Sequence, residues 1–174
     1  MCGFVGFVAE RDEHTEKTIK AMADLIAHRG PDDEDYFIGD KAALGFRRLS
    51  IIDLATGGQP IYNEDRSKVL VYNGELYNYR ELREQLVAAG HVFSTKTDSE
   101  VILHGYEQYG KELLSKMRGM FSFVIWDTKA DKIFGARDIF GIKPFYYYIK
   151  DGVFLFASEI KAFLAHPKFV KKLN

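Results

Sequence analysis

Strand-like runs dominate this chain, and the helical runs that intervene come in pairs rather than one after each strand. That spacing limits the fold more than any other feature. Residues 121–127, 132–137, 145–149 and 153–157 read as four strands in the last third. They are joined by a short loop at 128–131, a longer loop at 138–143 and a tight Asp151-Gly152 turn of the two-residue hairpin kind. Earlier strands are predicted over residues 3–9, 36–38, 42–46, 49–53 and 68–72, with a loop at 56–60. Ile19, Met22, Ala23 and Ile26 recur at helical spacing within residues 15–27, a helix broken by His28-Arg29-Gly30-Pro31. A second helix covers residues 79–88, before Gly90. A third opens at Thr97-Asp98-Ser99-Glu100, which has the form of a capping box, and runs through Tyr109 to Gly110. A last helix starts at Ser158 and spans residues 158–164. A doubly wound parallel sheet needs a crossover helix after nearly every strand, so this order argues against one. It predicts an α+β fold of two largely antiparallel sheets with helices packed outside.

The 174 residues suffice for one domain with a real core, so residues 1–174 are read as a single domain. Aromatics reach 14%, with 14 Phe and 10 Tyr, which favours strands. A net charge of −1 offers no global field to attract nucleic acid. No apolar run approaches the roughly 20 residues of a membrane helix. The opening run is short, Gly-broken and lacks a basic start, so it reads as a strand and not a signal peptide. A cytoplasmic protein is the default expectation. His14, His91, His104 and His166 show no metal-ligand spacing such as H-x-x-x-H, so no metal site is expected.

Cys2 is the only cysteine, which rules out an internal disulfide and a Cys-rich zinc site. Removal of Met1 would make it N-terminal. A thiol with a pKa of about 8.5 needs help to ionise at neutral pH, and an α-amino group titrating near 7.7–8.0 can accept its proton. One residue would then carry both nucleophile and base. The plainer reading of a lone Cys near a terminus is a small buried apolar residue.

Five stretches taken together resemble a known family. They are Met1-Cys2-Gly3-Phe4-Val5-Gly6, His28-Arg29-Gly30-Pro31-Asp32-Asp33, Arg48-Leu49-Ser50-Ile51-Ile52-Asp53, Tyr72-Asn73-Gly74-Glu75-Leu76-Tyr77-Asn78 and Thr97-Asp98-Ser99-Glu100. In this order they resemble class II glutamine amidotransferases, N-terminal-nucleophile hydrolases that release ammonia from glutamine. The branch most similar is the glutaminase domain of asparagine synthetases. Arg137-Asp138-Ile139-Phe140-Gly141-Ile142-Lys143-Pro144 and Phe156-Ala157-Ser158-Glu159-Ile160-Lys161 fit that branch as well. The resemblance implies a four-layer αββα sandwich.

It also implies roles, each beside a plainer alternative. Cys2 is the implied nucleophile. Asn73-Gly74 could be a type I′ turn, but the resemblance makes the Asn73 amide and the Gly74 N–H an oxyanion hole. Arg48 could be a surface ion pair; the resemblance has it grip the α-carboxylate of L-glutamine, which a planar guanidinium suits. Asp98 could be a helix cap, and in the family it takes the α-ammonium. Glu75 is expected at the same end, and Leu49, Ile51 and Ile52 line the pocket through their backbones. His28 and Arg29 are expected to be structural or gating. Arg47 does not match the motif's arginine.

The glutaminase half needs no cofactor. ATP and Mg are expected only on a synthetase domain absent from this sequence, which lacks the S-G-G-x-D-S phosphate loop. That domain, which would amidate aspartate, is the expected partner, with no nucleic acid or membrane partner and a homodimer left open. Relatives that pass ammonia to another acceptor such as a sugar, or non-catalytic relatives of the fold, are the alternatives.

Overall fold

The computed structural model describes residues 1–49 and 58–172. The chain divides into two compact units, Met1–Ile52 with Pro144–Asn174, and Asp53–Lys143.

The first unit holds β1 (Gly3–Val8), α1 (Thr15–Asp24), β2 (Asp33–Ile38), β3 (Ala42–Arg48), β8 (Tyr146–Lys150) and β9 (Val153–Ala157). Among the described residues its sheet runs β2-β3-β1-β9-β8, every pair antiparallel. The small-and-large apolar pattern of β1 makes it the central strand, buried along nearly its whole length. Helix α1 turns Ile19, Met22 and Ala23 inward, as their spacing predicts, and Ile26 joins them from the turn that follows. Burying each large side chain is worth about 1.5–3 kcal/mol. The helix ends earlier than residue 27 and tightens into a 3₁₀ turn at Ala27–Arg29. Asp151 and Gly152 both have positive φ, 48° and 76°, and close the β8–β9 hairpin as predicted. The last predicted helix is a 3₁₀ helix, Ile160–Ala165.

The second unit holds β4 (Ile61–Tyr62), β5 (Lys68–Leu76), α2 (Tyr79–Ala88), α3 (Asp98–Tyr109), α4 (Leu113–Lys116), β6 (Gly119–Asp127) and β7 (Lys132–Arg137). Its sheet runs β4-β5-β6-β7, again antiparallel throughout. Leu70, Tyr72 and Leu76 of β5 pack with Leu82 and Leu86 of α2 and Val101 and Ile102 of α3. Two antiparallel sheets, each with its own helices, are the α+β class that the element order predicts.

Two local readings change, and a third falls mostly outside the described residues. Asn73-Gly74 is no turn: β5 runs straight through it, and Asn73 pairs with Ser122 and Gly74 with Phe121 of β6. Nine residues of cross-strand pairing outweigh the turn preference of one dipeptide. The capping box at Thr97 does not form, for Thr97 makes no side-chain cap bond. Glu100 instead accepts from the backbone and hydroxyls of Ser94 and Thr95 at 2.6–2.9 Å. Of the strand predicted at 49–53, Leu49 lies outside any strand and the rest lies outside the described residues, as do residues 56 and 57 of the predicted loop.

Candidate active site

Cys2 stands at the head of β1, one residue before the ladder begins at Gly3 opposite Arg47. Its thiol exchanges two contacts with one residue: Sγ donates to the Leu49 carbonyl at 3.7 Å and accepts from the Leu49 N–H at 3.4 Å. Arg29 Nε donates to the Cys2 carbonyl at 3.1 Å. The guanidinium is itself held by Glu159, whose Oε1 lies 3.1 Å from Arg29 Nη1 and 2.9 Å from His28 Nε2. Partial burial would raise the Glu159 pKa, but the hydrogen bonds from Arg29 and His28 outweigh it and hold the carboxyl below its ordinary range. Just before it, Ser158 Oγ accepts from the Phe4 N–H at 3.0 Å, and the Ser158 N–H donates to the Phe4 carbonyl at 2.8 Å. The strand head is thus tied down on both sides.

Gly30 lets the turn between α1 and β2 lie against β3. A Cβ there would come 2.4 Å from the Arg47 carbonyl oxygen and 2.5 Å from the Arg48 nitrogen. Any side chain would push the turn away, and Arg29 with it. Arg48 ends β3 opposite Asp33, and its carbonyl accepts from the Asp32 N–H at 3.1 Å. Arg47 is paired with Asp24 and Glu34.

In the second unit, Asn73 lies mid-strand and is 5% exposed. Its Nδ2 is buried and has no hydrogen-bond partner among the described residues. An orphan buried donor costs about 1–3 kcal/mol and calls for an explanation. Gly74 beside it permits a close approach of β6, since a Cβ would meet the Met120 carbonyl oxygen at 2.5 Å. Asp98, at the first turn of α3, reaches back to β5: its Oδ2 accepts from the Tyr72 hydroxyl at 2.7 Å and from the Leu76 N–H at 2.9 Å. Burial and the Asp98 charge drive the Tyr72 pKa well up, so the hydroxyl stays protonated as donor. Glu75 has its pKa raised by desolvation and then by the Asp98 charge. Two acidic side chains therefore share this end of β5, an arrangement that favours a cation.

The structure thus places Cys2, Arg48 and Leu49 in the first unit and Asn73, Gly74, Glu75 and Asp98 in the second. Ile51 and Ile52 lie outside the described residues. Sequence reasoning missed Ser158 and Glu159 as supports of β1, and Tyr72 as the partner of Asp98. The Ser-Glu pair directly after a strand was visible, but not which strand it would bind.

Comparisons with known proteins converge on one family. The profile described as "Glutamine amidotransferase domain" matches residues 1–174. The chain is 48% identical over 168 residues to asparagine synthetase (glutamine-hydrolyzing) 1 of Bacillus subtilis, covering 94% of this chain and 27% of that protein. It is 46% identical to asparagine synthetase (glutamine-hydrolyzing) 2 of the same organism, covering all of this chain and 24% of the relative. The asparagine synthetase of Zea mays is 41% identical over 165 residues, with 93% and 28% covered. The chain therefore spans about a quarter of the length of these relatives. Among solved structures, the glutamine phosphoribosylpyrophosphate amidotransferase of B. subtilis superposes with a TM-score of 0.76 at 22% identity, over 94% of this chain and 43% of that one. An allosteric regulatory enzyme of purine biosynthesis superposes at 0.77 and the same identity. These two share the fold. Among the described residues no helix is long and apolar enough to cross a membrane. With its whole length matched by the family profile, this chain belongs to the glutamine amidotransferase domain family.

Proposed function

We propose that this domain hydrolyses the side-chain amide of L-glutamine at Cys2 and that the ammonia serves the ATP-dependent amidation of aspartate on a synthetase domain. The observation that carries the first half is the Asn73 amide, a buried donor with no partner among the described residues. Such a group is costly in the resting protein and stands ready to donate to an oxygen that acquires charge in front of it. Removal of Met1 frees the Cys2 amine, which takes the thiol proton. The thiolate attacks Cδ of glutamine, and Asn73 and Gly74 donate to the resulting oxyanion. The amine proton passes to the amide nitrogen, the C–N bond breaks and ammonia leaves. Water then attacks the thioester, returning the thiol and releasing glutamate. Arg48 takes the α-carboxylate, Asp98 and Glu75 the α-ammonium, and Leu49, Ile51 and Ile52 line the pocket. None of these steps calls for a cofactor; ATP and Mg belong to the synthetase step. The names of the relatives, each much longer than this chain, support aspartate as the acceptor.

Intact mass and ammonia release test this together. The processed chain should lose the mass of Met1, gain one adduct from an electrophilic glutamine analogue and release ammonia from glutamine. Cys2→Ala should do neither of the last two. Continued ammonia release by that variant would refute the assignment.

A further inference from the structure

We propose that Glu64, His91 and His104, completed by Glu107, form a binding site for a divalent transition metal of the zinc type. None of these residues takes part in the glutamine chemistry. The four come from three segments of the second unit: the turn between β4 and β5, the loop between α2 and α3, and α3 itself. Ligand atoms of Glu64, His91 and His104 all lie within 4.8 Å of one another. His104 Nδ1 is 2.9 Å from Glu107 Oε2 and 3.7 Å from Glu64 Oε1, and His91 Nδ1 is 4.0 Å from Glu107 Oε2. Metal–ligand bonds of about 2.0–2.2 Å set a tetrahedral edge of roughly 3.4 Å, which these separations bracket.

The chemistry of the inward-facing atoms argues for a cation. Carboxylate oxygens and unprotonated ring nitrogens are all acceptors. One proton on His104 satisfies its contact with Glu107; Glu64 Oε1 has a long bond from the Val92 N–H at 3.4 Å, and no donor joins it to His91 among the described residues. A metal ion serves all four at once. Two imidazoles in the set favour zinc-like ions over magnesium or calcium, which prefer oxygen alone.

The outer contact of His91 has the form that metal-bound histidines take. A ligating imidazole donates its other N–H to an oxygen acceptor, which fixes the ring. His91 Nε2 lies 3.1 Å from Gln108 Oε1. His104 is 1% exposed, and its Nε2, which makes no hydrogen bond among the described residues, faces Glu100 Oε1 at 3.5 Å. Both rings therefore turn Nδ1 inward. Glu107 is oriented similarly: its Oε1 accepts from Asn63 Nδ2 at 2.7 Å, leaving Oε2 to the cluster. A bound ion would fasten the β4–β5 turn and the α2–α3 loop to α3.

The test is zinc binding to the purified chain after treatment with a chelator. Cys2→Ala serves as background, so that the single thiol cannot supply the site. One equivalent of zinc should bind in competition with a chromophoric chelator, and the melting temperature should rise. Cobalt in the same place should give the intense visible band of a tetrahedral site. Because His91 and Glu64 are partly exposed, His91→Ala and Glu64→Gln should fold and should lose the binding and the thermal shift. Gln108→Ala should weaken binding about tenfold, as loss of an outer-shell partner does. Absence of stoichiometric binding would overturn the proposal. So would binding that His91→Ala and Glu64→Gln leave intact.

Discussion

At the head of β1, both the sulfur and the carbonyl of Cys2 have partners, and the arginine that holds the carbonyl is held in turn. In the middle of β5, the Asn73 amide is buried with its nitrogen unpaired among the described residues. In the reaction proposed above, with Cys2 as nucleophile and Asn73 as oxyanion donor, the two residues face different demands. A nucleophile must be aimed, so its backbone is braced and one reciprocal contact orients its sulfur. A donor to a transient oxyanion must be free in the ground state, because a partner already in place would have to be displaced during the reaction. The contrast separates positioning by saturation from stabilisation by an unfilled group, and it can be tested from either side.

The largest effect is expected at the unpaired end. Asn73→Ala should lower kcat by about 10²–10³, or about 2.7–4 kcal/mol of transition-state stabilisation. The melting temperature should stay near that of the parent chain, because the loss of an unsatisfied donor offsets the lost packing. A collapse in stability with kcat unchanged would make Asn73 a structural residue and erase the contrast.

A smaller effect is expected at the braced end. Arg29→Met removes the donor to the Cys2 carbonyl and the partner of Glu159. It should lower kcat about tenfold through misplacement of the thiol, about 1.4 kcal/mol, with KM changed less. Stability should also fall, by about 1 kcal/mol, since partly buried acceptors lose their partner. Unchanged turnover would show that the brace does not aim the nucleophile.

The smallest effect is a pH dependence. The folded-state pKa of Glu159 is depressed, so its contribution to stability is full above the ordinary glutamate range, near 4.3, and is lost as pH falls through the lower folded value. In Glu159→Gln that contribution is absent. Denaturant midpoints should therefore differ between the two chains at neutral pH and converge in acid. Parallel curves down to low pH would remove Glu159 from the brace.

Much of this architecture is legible in the residues alone. Ile19, Met22 and Ala23 name one buried helical face, the Asp151-Gly152 turn declares its hairpin, and the pairing of helices argues against a doubly wound parallel sheet. Each rests on local periodicity or local backbone preference, which neighbours in sequence settle between themselves. The ordered motifs likewise single out Cys2, Arg48, Asn73, Gly74 and Asp98 as the candidates proposed above. Tertiary structure decides what depends on register. Asn73-Gly74 has the composition of a turn, and only pairing with Ser122 and Phe121 makes it strand and leaves its amide buried and unpaired. Glu100 has the position of a cap, and only the path of residues 94 and 95 draws it away. Glu159 follows a strand in sequence, yet reaches Arg29 because β9 lies beside β1. His91 and His104 show no ligand spacing, and their meeting with Glu64 arises from how α3 packs in its own unit. Contacts between distant residues are set by which strands pair and in which register, and no local pattern carries that information.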